Sequence, residues 1–361
     1  AALVAQRSAL AVRNWASYAT TDWRNRLKQR TDFLNLVRER SAAGDVFFRP
    51  ILMQFAAHHL GKSYRDFYLD HENLVAANIA CMETFGMDAV GLISDPMREA
   101  EAFGARCEYP EEGVPHCPDP PLKTMADVQA LPDAGVATAR RTQDRIAGAR
   151  LFRQRLGDNV PLIGWIEGPL AEACDLMGVS QMLMNLALDP QLSELLLAKM
   201  VPTAKAFARA QIEAGCDIIG MGDAICSQIS PRMYEKYVKE QQREIIDFIH
   251  SQGAMVKVHI CGNITHLLPH LRDLNPDIVD LDWMVDMDHA YEVLGPDIIR
   301  TGNLDPVTVV EQMPAEAVYE RTTALVQRER GRPFILSAGC EITPLTPAEN
   351  LMAMREASRA N

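Results

Sequence analysis

Eight short apolar, β-branched runs alternate with amphipathic helical segments along the chain. The runs are residues 48–55, 88–94, 161–168, 217–223, 255–262, 277–283, 297–304 and 333–340. The longest helical patterns between them cover residues 181–210, 231–252 and 265–274. Repeated strand–helix units favour a parallel sheet, and the GxGxxG fingerprint of a doubly wound nucleotide fold is absent. The pattern therefore predicts an α/β fold, a single (β/α)8 TIM barrel.

The chain shows no internal repeat and no low-complexity linker, so one domain is expected. We place the barrel at residues 46–361 and an N-terminal helical extension at residues 1–45. The first residues carry Arg7 and Arg13 but no acidic residue before Asp22, which resembles an organelle presequence. Trp15 and Trp23 also fit an amphipathic packing helix, and we favour that interpretation.

Composition excludes several classes of protein. The net charge of −12 argues against a nucleic-acid partner, because such proteins normally present a basic face. No stretch of about 18 consecutive apolar residues is present, so no membrane span is expected. The eight cysteines lack the regular spacing of a disulfide framework. In a chain of this length, that predicts reduced thiols and a cytoplasmic location.

Polar or ionisable residues stand at the end of every strand-like run. In a (β/α)8 barrel these ends meet at the C-terminal face, where catalytic groups collect. The residues concerned are Gln54, Asp95, Glu167, Asp223, His259 with Cys261, Asp282, Asn303 with Asp305, and Cys340.

The triplet His259-Ile260-Cys261 is the most specific of these features. In a strand, side chains two residues apart point to the same side, so the imidazole and the thiol share one face. A barrel would bring Cys340 to the same mouth and complete a three-ligand set, the number a catalytic zinc takes. Thiolates suit zinc better than hard cations such as magnesium. We expect an open site with Glu167 or water in the fourth position; the alternative is a core histidine with two packed cysteines.

Two thiolates and one neutral imidazole would cancel the +2 charge of the zinc ion and leave the site with a net charge near zero. Such a site is a poorer Lewis acid for hydrolysis than one with three histidines. It suits the binding of an external thiol as a thiolate that attacks an activated methyl group. Hydrolysis by zinc-bound hydroxide is the competing chemistry.

The chain resembles the uroporphyrinogen decarboxylase superfamily from about residue 30 onward. Within it, the resemblance is to the zinc-dependent corrinoid methyltransferases akin to methylcobalamin:coenzyme M methyltransferase. The motifs are GLISDP at 91–96, EGPL at 167–170, ISPRMY at 229–234, HICGN at 259–263, GNLDP at 302–306 and GCEITP at 339–344. The His-x-Cys pair with the late Gly-Cys is the specific part.

This resemblance implies zinc held by His259, Cys261 and Cys340, and a methyl-corrinoid carried by a small separate corrinoid protein. The acceptor would be a small thiol, and a homodimer is compatible with the family. Asp95 matches the superfamily's aspartate after the second strand. We assign catalytic roles to Asp95, Glu167 and Asp223 and cofactor-binding roles to a second set at the mouth. That second set is Gln54, Asn303 and Asp305.

Other functions remain open at this stage. The acceptor could be a non-thiol such as tetrahydrofolate, or the protein could only store zinc or a corrinoid. The decarboxylase branch uses an arginine-rich first-strand segment and has a histidine in place of Cys340. Here that segment, residues 53–59, reads MQFAAHH without arginine, which argues against decarboxylation of a porphyrinogen.

Two further groupings have the residue types of metal ligands. His58 and His59 are adjacent, and neighbours on a helix lie about 100° apart, so both can hardly bind one ion. Asp282, Asp286 and Asp288 lie close together, but a solvated acidic loop is the favoured interpretation.

A third pair is Cys107 and Cys117, which flank a loop rich in proline and glutamate. The nine-residue gap contains Pro110 and Pro115, so we do not expect these cysteines to form a metal site.

Overall fold

The eight strands form one parallel sheet in the computed structural model, which describes residues 30–359. They are β1 Phe47–Phe48, β2 Val90–Gly91, β3 Leu162–Glu167, β4 Ile218–Gly222, β5 Met255–His259, β6 Ile278–Asp280, β7 Ile299–Leu304 and β8 Phe334–Ala338. The strand order is β1-β8-β7-β6-β5-β4-β3-β2. The Asp88 N–H donates to the Phe48 carbonyl (2.9 Å) and joins the two ends of this order. The predicted α/β TIM-barrel-like fold is confirmed.

Helices surround the sheet and separate its strands. They are α1 Arg30–Ala43, α2 Gln54–His59, α3 Tyr64–Leu69, α4 His71–Phe85, α5 Met97–Ala102, α6 Met125–Ala130, α7 Arg140–Leu156, α8 Pro169–Met177, α9 Val179–Leu188, α10 Pro190–Glu213, α11 Pro231–Tyr237, α12 Lys239–Ser251, α13 Leu268–Leu274, α14 Met287–Leu294, α15 Ala315–Arg328 and α16 Ala348–Ala357. Two 3-10 turns (Ala224–Gln228 and Thr265–Leu267) and a π-helical turn (Pro306–Glu311) follow β4, β5 and β7.

Several predicted boundaries differ from those observed. The first strand ends at Phe48, because Pro50 has no N–H for a ladder bond, and Gln54 instead begins α2. The predicted helix 181–210 is two helices, since Asp189 precedes Pro190 and its side chain caps α10.

The other two long helical patterns are also divided. Residues 231–252 form α11 and α12, which meet at Val238, and residues 265–274 begin as a 3-10 turn. Most of the predicted N-terminal extension, residues 1–29, lies outside the described residues, and so does its predicted Trp15–Trp23 pattern. The boundary at residues 45 and 46 stays a prediction.

The lower part of the barrel interior is filled by one apolar side chain from each strand or its start. These are Phe47, Ala89, Ile163, Ile218, Met255, Ile278, Ile299 and Ile335. Helix α1 covers this end and inserts Phe33 and Val37 into the same cluster. The Phe33 ring meets the Phe47 ring edge-on, with 5.6 Å between centroids. The described part of the N-terminal extension is thus packed into the barrel.

The middle of the interior is polar. Trp165, Lys257 and Asp280 each stand two residues after a member of the apolar layer on the same strand, so they form the next layer of the interior. Arg49, the residue that follows β1, belongs to the same layer. Gly220 makes room for the Trp165 indole, since a Cβ there would lie 2.3 Å from its Cε3 atom. His259 is the next inward-facing residue of β5, so the polar layer forms the floor beneath it.

If α1 is part of the folded barrel, Phe33→Ala should lower the free energy of unfolding by about 3–5 kcal/mol, the usual cost of truncating a buried aromatic residue. Glu39→Ala, an exposed change on the same helix, is the matched control. Chemical denaturation of both variants measures the difference. Equal stability of the two would show that α1 does not contribute to the barrel core.

Candidate metal centre

His259, Cys261 and Cys340 converge at the C-terminal end of the barrel. The distances are 3.1 Å from His259 Nε2 to Cys261 Sγ, 3.4 Å between the two Sγ atoms, and 3.9 Å from Cys340 Sγ to His259 Nε2. His259 ends β5, whereas both cysteines lie two residues beyond their strands. The expected grouping of these three residues is therefore observed, although Cys261 stands in a loop and not in the strand.

The three donor atoms fit a zinc ion. Zn–S bonds of about 2.3 Å and Zn–N bonds of about 2.0–2.1 Å at tetrahedral angles separate the ligand atoms by roughly 3.5–3.8 Å. The observed separations of 3.1, 3.4 and 3.9 Å bracket that range. One imidazole and two sulfurs also match the preference of zinc for nitrogen and sulfur ligands.

Asp280 fixes the orientation of the His259 ring. Its Oδ2 atom accepts a hydrogen bond from His259 Nδ1 at 2.8 Å and lies 3.0 Å from Lys257 Nζ. The ring thus presents Nδ1 to Asp280 and Nε2 to the two cysteines, the nitrogen that a metal ion would bind. Trp165 packs against the same ring, with centroids 5.7 Å apart. The ligand geometry is therefore imposed by groups inside the barrel.

Asp282 anchors the loop of Cys261 and packs against the loop of Cys340. Its Oδ2 atom accepts from the Gly262 N–H (2.7 Å), and its Oδ1 atom accepts from the Trp283 N–H (2.8 Å). Gly339 passes so close that a Cβ would lie 2.4 Å from Asp282 Oδ1. Any side chain at position 339 would push the Cys340 loop away from Cys261.

The charges of the three ligand residues depend on one another. The hydrogen bond from the Cys261 thiol lowers the pKa of Cys340 to about 5, against the opposing effect of burial and with further help from His259. Burial tends to lower the pKa of His259, but hydrogen bonds to Asp280 and Cys340 raise it to about 10. Cys340 is thus held as a thiolate, the form that binds metal.

Glu167 lies in a buried carboxylate cluster, which we define as Glu99, Glu167, Glu172 and Asp175 around Arg98. Arg98 Nη2 donates to Glu167 Oε1 at 2.6 Å, and its Nε donates to Glu99 Oε2 at 3.3 Å. Glu167 is not among the donor atoms grouped with His259. Of the two expected occupants of the fourth zinc position, Glu167 or water, this contact with Arg98 favours water.

The carboxylate cluster has more acidic groups than cations that could neutralise them. Four carboxyl groups face one guanidinium, and within the described residues neither oxygen of Glu172 has a hydrogen-bond partner. Burial, followed by the neighbouring acids, raises the pKa of Glu172 well above its ordinary value, and burial likewise raises that of Glu167. The cluster therefore retains protons near neutral pH.

Asp95 and Asp223 both make internal contacts. Arg141 holds Asp95 in a fully buried ion pair and, against burial, keeps the pKa of this carboxyl below its ordinary value. Asp223 accepts from the Ala171 N–H and from Gln242 Nε2, each at 2.8 Å. Burial raises its pKa to about 6. Their catalytic roles stay predictions.

The residues predicted to bind the cofactor have local partners as well. Gln54 donates to Glu112 Oε2 (3.0 Å), and Asn303 donates to the Val285 carbonyl (2.9 Å). Asp305 caps the π-helical turn after β7. Asn303 and Asp305 lie at or just past the end of β7, at the mouth, whereas Gln54 begins α2; binding of a cofactor by all three stays a prediction.

His58 and His59 have different partners, and the three aspartates 282, 286 and 288 differ in their surroundings. His58 contacts Glu112 (2.9 Å), and His59 contacts Thr84 (3.1 Å). The acidic loop is paired with cations: Asp286 lies 2.8 Å from Arg328, which also contacts Asp288. These contacts favour the solvated-loop interpretation for Asp286 and Asp288, whereas Asp282 is buried and accepts from the Gly262 N–H.

Asp280, Arg98 and Glu172 were not identified from the sequence. Asp280 stands inside the apolar run 277–283, where a charged inward residue is itself a signal, because burial demands a partner. Arg98 and Glu172 lie on α5 and α8, and no spacing rule relates them to Glu167.

Comparison with known proteins places the chain in a family. The family model for uroporphyrinogen decarboxylase (URO-D) matches residues 48–360. The chain belongs to the uroporphyrinogen decarboxylase family. The uroporphyrinogen decarboxylase of Myxococcus xanthus is 30% identical over 295 residues, covering 80% of this chain and 82% of that protein. The Trichlorobacter lovleyi enzyme is 28% identical over 291 residues, covering 76% and 80%. This is a family of enzymes.

Solved structures share the fold. A methyltransferase from Methanosarcina mazei superposes with a TM-score of 0.78 at 20% identity, covering 89% of this chain and 97% of that one. A B12-independent methionine synthase from Shewanella sp. W3-18-1 has a TM-score of 0.54 at 16% identity, covering 79% and 86%. Within residues 30–359, no helix has the length and apolar character needed to cross a membrane.

Asp280→Asn should weaken zinc binding about 10–100-fold, the usual effect of losing the carboxylate behind a histidine ligand. Asp297→Asn, at a largely exposed carboxylate, is the matched control. Competition with a chelator measures both affinities in folded protein. Unchanged affinity in Asp280→Asn would mean that this carboxylate does not orient His259.

Glu172→Gln should stabilise the protein increasingly as the pH rises. The folded Glu172 keeps its proton above the pH at which the unfolded side chain loses it, so wild-type stability falls through that interval. Glutamine cannot ionise, and its advantage should grow by up to about 1.4 kcal/mol per pH unit above roughly pH 4.3. Denaturation of both proteins between pH 5 and 8 tests this, with the exposed change Glu320→Gln as control. A difference that is constant with pH would contradict the raised pKa.

Proposed function

We propose that this protein is a zinc-dependent methyltransferase that moves a methyl group from a methyl-corrinoid to a thiol. The observation that carries the proposal is the convergence of His259 Nε2 with the sulfurs of Cys261 and Cys340. Zinc bound there would supply one further coordination position, at which an incoming thiol is held as a thiolate.

The residues around the centre suit that role. Asp280 accepts from His259 Nδ1, and Asp282 anchors the Cys261 loop and packs against Gly339 of the Cys340 loop. Below them, the buried cations Arg49 and Lys257 exceed the single charge of Asp280 by one. That positive surplus favours negative sulfur ligands in the layer above it.

The mouth also offers a surface for a methyl donor carried by another protein. Trp283, Met284, Val307 and Leu345 are large apolar residues with 40–78% of their surface exposed. They follow β6, β7 and β8, so they lie around the same end of the barrel as the zinc ligands. We propose that a small corrinoid protein docks there. The structural likeness to the Methanosarcina mazei methyltransferase supports this choice at the level of the fold.

Decarboxylation of a porphyrinogen is the second candidate, because the curated relatives described above carry the name uroporphyrinogen decarboxylase. A substrate with several carboxylates needs free cations, and the buried Arg98 and Arg141 are already paired with Glu167 and Asp95. These contacts favour methyl transfer.

We propose a cytoplasmic location and, in keeping with other members of the family, a possible homodimer. A metal centre with two cysteine ligands is best preserved where thiols stay reduced. The eight cysteines of the described residues are all free thiols, as this location requires.

The proposal predicts that zinc-loaded protein demethylates methylcobalamin when a small thiol is added, followed by the change in corrinoid absorbance. Cys261→Ala and Cys340→Ala should each lose bound zinc and more than about 100-fold in rate, because each removes a ligand directly. Cys117→Ser, at a half-buried cysteine outside the centre, should keep both.

Parallel reactions distinguish the alternatives. Methylation of tetrahydrofolate without reaction of any thiol would keep the corrinoid donor but change the acceptor. Release of carbon dioxide from uroporphyrinogen without methyl transfer would establish the decarboxylase. Full activity of Cys340→Ala in any of these reactions would contradict the ligand assignment.

A further inference from the structure

Residues 107–117 fold back on themselves after α5. The Glu108 N–H donates to the His116 carbonyl at 2.8 Å, and the His116 N–H donates to the Glu108 carbonyl at 3.3 Å. This antiparallel bridge, Glu108 opposite His116, closes the base of the segment, which we call the 107–117 hairpin. Cys107 directly precedes Glu108, and Cys117 directly follows His116, so the two cysteines flank the bridge.

The bridge fixes how Cys107 and Cys117 face each other. Residues that exchange both backbone bonds alternate with pairs that exchange none, so the next pair outward is a non-hydrogen-bonded pair. Its Cα atoms typically lie about 4.5 Å apart with side chains on the same face. Disulfides require Cα separations of about 4.4–6.8 Å. The backbone therefore presents the two thiols at disulfide distance.

The surroundings of the two thiols agree with that geometry. Both side chains are half-buried, and Cys107 Sγ lies 3.7 Å from the Ala105 carbonyl oxygen. Burial, and next the neighbouring Cys117, raise the pKa of Cys107 to about 12. A high pKa slows thiol–disulfide exchange, but the reduction potential, not the pKa, sets the equilibrium.

We infer that Cys107 and Cys117 are a site of reversible disulfide formation by exchange with a low-molecular-weight disulfide such as oxidised glutathione. The Cys117 thiolate attacks the small disulfide, forms a mixed disulfide and releases one glutathione thiolate. The Cys107 thiolate then attacks the Cys117 sulfur and releases the second. The two cysteines lose two protons and two electrons, and the small disulfide is reduced to two thiols.

The disulfide would fasten a segment that touches the mouth. The Glu111 carbonyl accepts from the Arg65 N–H (3.0 Å), and Glu112 contacts Gln54 and His58. The backbone N–H of Gln54 donates in turn to Glu341, the neighbour of Cys340 (3.0 Å). A crosslink at the base would limit opening of the hairpin beside the metal centre.

Peptide mapping of zinc-loaded full-length protein tests the inference. The protein is equilibrated for hours at pH 8 in glutathione buffers of increasing disulfide fraction, then alkylated and digested. Zinc protects Cys261 and Cys340 from exchange. We expect a peptide that joins Cys107 to Cys117 and lacks two hydrogen atoms, appearing with one midpoint and disappearing on reduction.

Two further measurements make the result decisive. Cys117→Ser should give no crosslink and at most a glutathione adduct on Cys107. Limited proteolysis between residues 108 and 116 should be several-fold slower in oxidised wild type than in reduced wild type, with no redox dependence in the variant. Independent modification of the two cysteines, or no crosslink at the highest disulfide fraction, would overturn the inference.

Discussion

The Asp280 carboxylate lies between Lys257 and His259 inside the barrel, and the arrangement of the candidate metal centre depends on it. A buried carboxylate needs partners, and a buried lysine needs a counter-charge. One oxygen of Asp280 meets both needs at 3.0 Å from Lys257 Nζ and 2.8 Å from His259 Nδ1. Asp280, in the floor of the barrel, thereby determines that Nε2 is the ring nitrogen of His259 that faces the cysteines. Asp280 therefore links His259 electrostatically to the buried Lys257 of the barrel interior.

The two sides of the barrel mouth differ in their packing and in their charged groups. On the side of β5, β6 and β8, the loops of Cys261 and Cys340 meet at Asp282, and Gly339 permits the close approach. On the side of β2 and β3, the carboxylate cluster surrounds Arg98 and retains protons. A polycarboxylate would face the second side with its candidate arginines already paired.

The barrel and the ligand set could be predicted from the sequence because both follow from periodicity. The common end of parallel strands brought His259, Cys261 and Cys340 together, although Cys261 lies in the loop after β5, where strand alternation does not apply. Glu167 was located correctly at the end of β3, but its partner Arg98 is on α5, and no local pattern specifies that contact. Pro50 shortened the first strand and moved Gln54 into a helix. Cys107 lies opposite Cys117 because Glu108 and His116 form an antiparallel bridge. The two prolines between the cysteines argued against such a contact when only the sequence was considered.

X-ray absorption at the zinc edge, measured with and without an acceptor thiol, tests the central claim most directly. We expect one zinc per chain with two sulfurs and one imidazole nitrogen from the protein. We also expect a third sulfur when the thiol is added, because the proposed function leaves the fourth position to the acceptor. A zinc without sulfur ligands, or a sulfur count that stays at two with saturating thiol, would contradict it.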